Sequence, residues 1–206
     1  MPMRNRVAPT GEIVAVPLRG AWCGNRGILH RGTDVVRTHA SDLWITCRLS
    51  FKDWRLPQWA PGHFTLLFFH DEAVSLAAGH RPCALCRRAD YDAYRRAWAT
   101  GLGLDAPPSA TGMNRALHAE RNVPGTSRRR FHPASWPELP VGAFVLLSDG
   151  PALVLDRTVV PWTSAGYGTA RPRPGTGPVQ LVTPPSSVAT LLAGYRPQID
   201  ASASPT

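Results

Sequence analysis

Two cysteines separated by two residues at the mouth of a helix constrain this chain more than any other feature. They are Cys83 and Cys86, in the segment GHRPCALCRR from Gly79 to Arg88. That spacing forms a knuckle, which brings both sulfurs within reach of one tetrahedral ion and turns backbone N–H groups toward them. The helix N-terminus, with Arg81, Arg87 and Arg88 beside it, favours thiolate over thiol. The expectation is half of a zinc site. A redox dithiol and a pair of inert buried cysteines compete with it. Nothing ahead of the pair resembles the first βα turn of a thioredoxin-like unit, which counts against the redox reading.

The patterning around the knuckle predicts an α+β chain. Scattered glycines and short extended pieces before residue 40 read as hairpins or loops. From Leu43 to Leu49, LWITCRL alternates, placing Leu43, Ile45, Cys47 and Leu49 on one face and Trp44, Thr46 and Arg48 on the other. The apolar face is expected inward, with Cys47 on it. A Trp- and Pro-rich linker from Lys52 to Gly62 leads to Phe64–Phe69, which reads as a strand buried on both faces. A short helix follows at DEAVSLAAG, with Asp71 and Glu72 at its start and Gly79 as its stop. A longer helix from about Ala84 to Thr100 carries a stripe of Leu85, Ala89, Ala93, Ala97 and Trp98.

Beyond it, residues 101 to 140 read as a linker with a helix near Asn114 to Asn122. From Val141 the texture changes to AFVLL, ALVL, TVVPW and VQLVT, followed by a helix from Ser186 to Ala193. The expected organisation is an N-terminal region (1–100) holding a small zinc-binding α/β module at about 43–100, then the linker. A β-rich unit (141–200), a small barrel or a sheet packed on one helix, completes it. The 21 prolines and 18 glycines promise a loop-rich fold.

From Phe68 to Arg88, FFHDEAVSLAAGHRPCALCRR resembles the second half of the metal-binding domain of the Ada family of bacterial DNA methylphosphotriester repair proteins. That family's pattern is FF, a short acidic-and-alanine helix ending AAGF or AAGY, then RPCxxC. Upstream, ITCRLSF from Ile45 to Phe51 resembles the family's FCRPSC, with Cys47 on its first cysteine. The resemblance implies Cys47, Cys83 and Cys86 as ligands of one zinc ion, with Cys47 on the position that accepts a methyl group from a DNA phosphotriester. Where the family has its second cysteine this chain has Phe51, so the fourth ligand must come from elsewhere. Cys23 would complete an all-cysteine site and His30 a site of three cysteines and one histidine. A water would leave the position open, as in catalytic zinc. The deaminase pattern HxE followed by PCxxC is also present in pieces, as His118-Ala119-Glu120 and Pro82 to Cys86. Its order is inverted.

The formal net charge is +9, and of 23 basic residues only Lys52 is lysine. Arginine suits bidentate phosphate contact, although arginine with almost no lysine is also what GC-rich coding produces. The leading expectation is a zinc-stabilised protein that binds DNA or RNA, with Arg81, Arg87, Arg88, Arg128, Arg129 and Arg130 facing phosphate. A zinc-activated alkyl acceptor at Cys47 and a zinc-shaped protein-interaction module are the alternatives. No apolar run is long enough for an export signal or a membrane span, so a soluble, cytoplasmic protein is expected.

Overall fold

A computed structural model describes residues 2–53 and 58–203, so part of the expected Lys52 to Gly62 linker lies outside the described residues. The first third of the chain is built of short strands. They are β1 (Arg6–Val7), β2 (Ile13–Val14), β3 (Trp22–Asn25), β4 (His30–Arg31), β5 (Asp34–Val35), β6 (Ile45–Cys47) and β7 (Leu67–Phe69). Helix α1 (Glu72–Ala77), strand β8 (Arg81–Pro82), helix α2 (Arg88–Gly101) and helix α3 (Ala110–Arg121) follow. Then come β9 (His132–Ser135), β10 (Phe144–Leu147), β11 (Gly150–Val154), β12 (Thr158–Thr163), β13 (Gly166–Tyr167), β14 (Arg171–Pro172), β15 (Pro178–Leu181) and helix α4 (Pro185–Leu192). The fold is α+β.

The early strands assemble in the order β2-β1-β7-β3-β6-β8, and β4 pairs with β5 as a separate hairpin. Central β3 is antiparallel to both neighbours. Cys23 stands opposite Cys47 on β6 and opposite Phe68 on β7. Gly24 is required at the crossing, because a Cβ there would sit 2.0 Å from the carbonyl oxygen of Ile45.

Both faces of β6 and β7 depart from the sequence expectation. On β6 it is Trp44 and Thr46 that are buried, at 2% and 0% exposed, whereas Leu43 and Leu49 are exposed. Trp44 is enclosed by arginines from distant segments, which hydropathy alternation cannot register. Along β7 burial alternates: Thr65, Leu67 and Phe69 are buried, while Phe64, Leu66 and Phe68 are partly exposed and line a cavity. That strand is covered on one face only.

The later strands form an antiparallel sheet in the order β13-β12-β11-β10-β15-β9, with β14 also on β12. Among the described residues nothing joins its two edges, so the sheet alternative holds and the barrel does not close. Both faces are covered. Val145, Val154, Val159 and Leu181 pack with Tyr91, Tyr94 and Trp98 of α2, Met113 and Leu117 of α3, and Val188 and Leu191 of α4. Their strand neighbours Phe144, Leu153, Val160 and Val182 pack with Ala73, Val74 and Ala77 of α1. Burial on both sides is why these strands read as continuous apolar runs.

Helix α1 starts where Asp71 caps it, its Oδ1 accepting the Val74 N–H at 2.8 Å. Helix α2 begins later than its apolar stripe predicts, because Ala84 to Arg87 form the turn of the knuckle. Its core face is aromatic (Tyr91, Tyr94, Trp98), with Leu85 and Ala89 exposed. Bulky rings at a spacing of three and four residues reach the sheet where alanine methyls would leave a gap.

Candidate metal centre

Three segments deliver the cysteines to one place. Strand β6 carries Cys47. The Cys83 N–H donates to the carbonyl of Thr46 at 2.9 Å, which docks the knuckle beside that strand as β8 runs parallel to β6. The turn is closed by the Arg87 N–H on the Cys83 carbonyl at 3.1 Å. Cys86 then falls just ahead of α2. The Leu85 N–H points at the Cys83 sulfur at 3.4 Å, the inward-facing amide that a CxxC knuckle predicts.

The sulfurs of Cys47, Cys83 and Cys86 all lie within 4.8 Å of one another. Cys83 and Cys86 are buried and Cys47 is half-buried. So close a set cannot hold three negative charges unaided. Cys83 is held well below the usual thiol range by hydrogen bonds from Cys47 and Cys86, and Cys47, bonded to both, is pushed up. A cation among the three would remove that conflict, since metal-bound thiols are deprotonated. Cys47, Cys83 and Cys86 thus form a site able to hold a metal.

Cys23 lies beside this cluster. Its sulfur is 3.1 Å from the carbonyl oxygen of Arg48, and its thiol is pushed up to about 11, by burial first and then by the charge of Cys86. All four cysteines line one cavity of about 660 Å³, with Phe64, Leu66 and Phe68 along one wall and Arg48 and Lys52 at its edge. His30 is held elsewhere: its Nδ1 is 2.7 Å from Thr65 Oγ1 and its ring packs on Trp59.

The arginines expected to face phosphate are divided. Arg81 is buried, donating to Asn114 Oδ1 at 2.8 Å and to the Pro82 carbonyl at 3.0 Å. Arg87 is buried too, bonded to Glu72 at 2.7 Å and to Asp90 at 2.9 Å, with its guanidinium 3.9 Å from the Trp22 ring. Both are internal because the knuckle itself is packed inside, which corrects the expectation that they meet a ligand phosphate. Arg88 is exposed and paired with Asp92. In the run after Ser127, Arg128 and Arg130 are exposed, while Arg129 turns in to the carbonyls of Ala77 and Ala78. His118 and Glu120 stand apart from the sulfurs, Glu120 accepting the Ser186 N–H at 3.1 Å, so the deaminase pieces do not meet.

Fold and site together define an α+β protein with a three-cysteine cluster fit for a metal ion. No protein-family model, curated protein or solved structure matches this chain. No helix among the described residues is long and apolar enough to cross a membrane.

Proposed function

We propose that this chain is a zinc protein in which Cys47, Cys83 and Cys86 bind Zn²⁺ and Cys23 supplies the fourth sulfur. The mutual approach of three sulfurs within 4.8 Å carries the reading. Zn–S bonds of about 2.3 Å in a tetrahedron set sulfurs about 3.8 Å apart, inside that limit. Cys23 is favoured over His30 because it faces Cys47 across the sheet and shares its cavity. Cys23 is not one of the sulfurs within 4.8 Å of one another, so ligation requires its thiol to leave the Arg48 carbonyl. The ion then ties β3, β6 and the knuckle together, and ligation on the order of 10 kcal/mol makes this part of the fold depend on it. Cobalt(II) titration of the metal-free protein tests the set. Thiolate charge-transfer absorption should appear in the wild type, weaken by one thiolate in Cys23→Ser and persist unchanged in His30→Ala. Absence of the band in the wild type overturns the site.

One observation favours a second, reactive reading. Cys47 is the least buried of the three clustered cysteines and opens on the cavity. As an alkyl acceptor its thiolate sulfur would attack the methyl carbon of a DNA methylphosphotriester, breaking the O–C bond and leaving a phosphodiester anion and S-methylcysteine. Peptide mass spectrometry after incubation with such DNA should find the added methyl on Cys47. An unmodified Cys47 leaves the zinc structural, and exposed Arg88, Arg128 and Arg130 then remain the support for any contact with DNA or RNA.

A further inference from the structure

Away from the cysteines, two guanidinium groups stack on the indole of Trp44 and a third stands near them. Arg26 and Arg121 are each 1% exposed, and each stacks with its Cζ 3.8 Å from the Trp44 ring centroid. Arg129, half-buried, joins them from the loop after α3. Their donors are partly used. Arg26 reaches His80 Nε2 at 3.2 Å and the Gly11 carbonyl at 2.8 Å. Arg121 reaches the carbonyls of Gly79 at 2.9 Å and Asp42 at 2.8 Å. Arg129 takes the carbonyls of Ala77 and Ala78 at 3.0 and 3.3 Å.

Negative charge stands at a distance: Asp42 and Glu120 act on Arg121 without closing on it as ion pairs. Among the described residues no ion pair involves Arg26, Arg121 or Arg129. The end of the short helix α1 offers about half a charge at most, against three cations. Buried donors are also left over: among the described residues Arg26 Nη2, Arg121 Nε and Arg129 Nε have no hydrogen-bond partner. Burial, and then repulsion from Arg129 and Arg121, pushes Arg26 well below the usual guanidinium range. Arginine nevertheless stays protonated in proteins, so the cluster keeps a positive charge that no paired carboxylate cancels.

Arg26, Arg129 and Trp44 line a cavity of about 440 Å³ whose wall also includes Arg128, Ser127 and Asn122. Phe131 and Leu146 give it an apolar side, and exposed Glu12 stands at its rim. We propose that this cavity binds a small phosphorylated ligand, its phosphate held by Arg26, Arg128 and Arg129 and the rest of the molecule lying against Trp44 and Phe131. Planar guanidinium groups grip phosphate oxygens in bidentate fashion, and Ser127 and Asn122 add neutral donors. A carboxylate of this chain would close the site permanently. Glu12 lines the cavity but pairs with none of these arginines among the described residues, which keeps the site open to an anion that comes and goes.

Inorganic phosphate, added to the full-length protein at constant ionic strength, is the probe. The melting temperature should rise saturably with phosphate, and calorimetry should give a matching isotherm. Arg128→Gln, at an exposed position, should leave the unliganded melting temperature unchanged and weaken phosphate binding by about tenfold or more. Arg26→Met should abolish binding, and Arg128→Gln keeps the test valid where Arg26→Met does not fold. No response to about 10 mM phosphate, or an equal response in Arg128→Gln, overturns the proposal. So does saturable binding of a short oligonucleotide with none of phosphate.

Discussion

Cys23 stands directly opposite Cys47 across the antiparallel strands β3 and β6. Residues opposed in this way point to the same face of a sheet, so the register alone makes them neighbours at the cluster that Cys83 and Cys86 complete. The candidate centre therefore depends on how closely two strand backbones approach.

That dependence makes Gly24→Ala informative, because it alters no ligand. A methyl at Gly24 would fall 2.0 Å from the Ile45 carbonyl oxygen and 2.9 Å from the Phe69 ring, so β3 and β6 must separate. Both the metal content and the melting temperature should fall, the stability by about 1–3 kcal/mol as for overpacking elsewhere. Metal analysis and thermal unfolding of the variant are the measurements.

The buried pair Glu72–Arg87 predicts a larger loss. Glu72 accepts from Arg87, from the Tyr195 hydroxyl and from the Gln198 N–H, joining α1, the knuckle and the C-terminal segment. Glu72→Gln removes the buried partner of the Arg87 guanidinium and leaves it the more exposed Asp90, and should cost about 3 kcal/mol in urea unfolding. The double variant Glu72→Gln with Arg87→Met should be less destabilised than the two single losses added together.

Acid should weaken the fold near neutrality through His80. The ring is fully buried, its Nε2 accepts from Arg26, and burial followed by the charge of Arg26 pushes it well below the usual imidazole range. The unfolded chain therefore binds a proton near pH 6.5 that the folded chain refuses, and stability falls as pH drops through that value. The slope is about 1.4 kcal/mol per pH unit for this one group. His39 and His118 are lowered as well and add in the same direction. Chemical denaturation between pH 7.5 and 5 checks the slope, and His80→Gln should remove the largest share of it.

Gly79→Ala should also be costly. Gly79 ends α1 at φ +87°, and a Cβ there would meet Arg121 Cδ at 2.7 Å. Left-handed backbone and a crowded buried arginine together predict a loss of about 1–3 kcal/mol in thermal unfolding.

How much of this was legible depends on the range of the signal. The Cys83–Cys86 knuckle is local, and so are the acidic helix start at Asp71 and Glu72 and the Gly79 stop; each is present as expected. The runs around Phe144, Leu153, Val160 and Leu181 were readable as strands because burial on both faces leaves an apolar stretch in the chain itself. Cys47 came from a family resemblance, and the alternation around it pointed to the wrong face. What buries Trp44 is Arg26 and Arg121, which lie far from it in the chain and are polar. The same distance hid the arginine cluster: Arg129 was visible only as one of a basic run, and nothing in Arg26 or Arg121 marks them as its neighbours. Between Cys23 and His30, both open in the sequence, the β3–β6 register gives preference to Cys23.

The account turns on whether three sulfurs hold a metal, and elemental analysis of the purified full-length protein measures that most directly. One zinc per chain is predicted for the wild type, together with its loss in Cys83→Ser and in Cys47→Ser. A wild-type protein that takes up no zinc under saturating conditions, or a Cys83→Ser variant that retains a full equivalent, would contradict it.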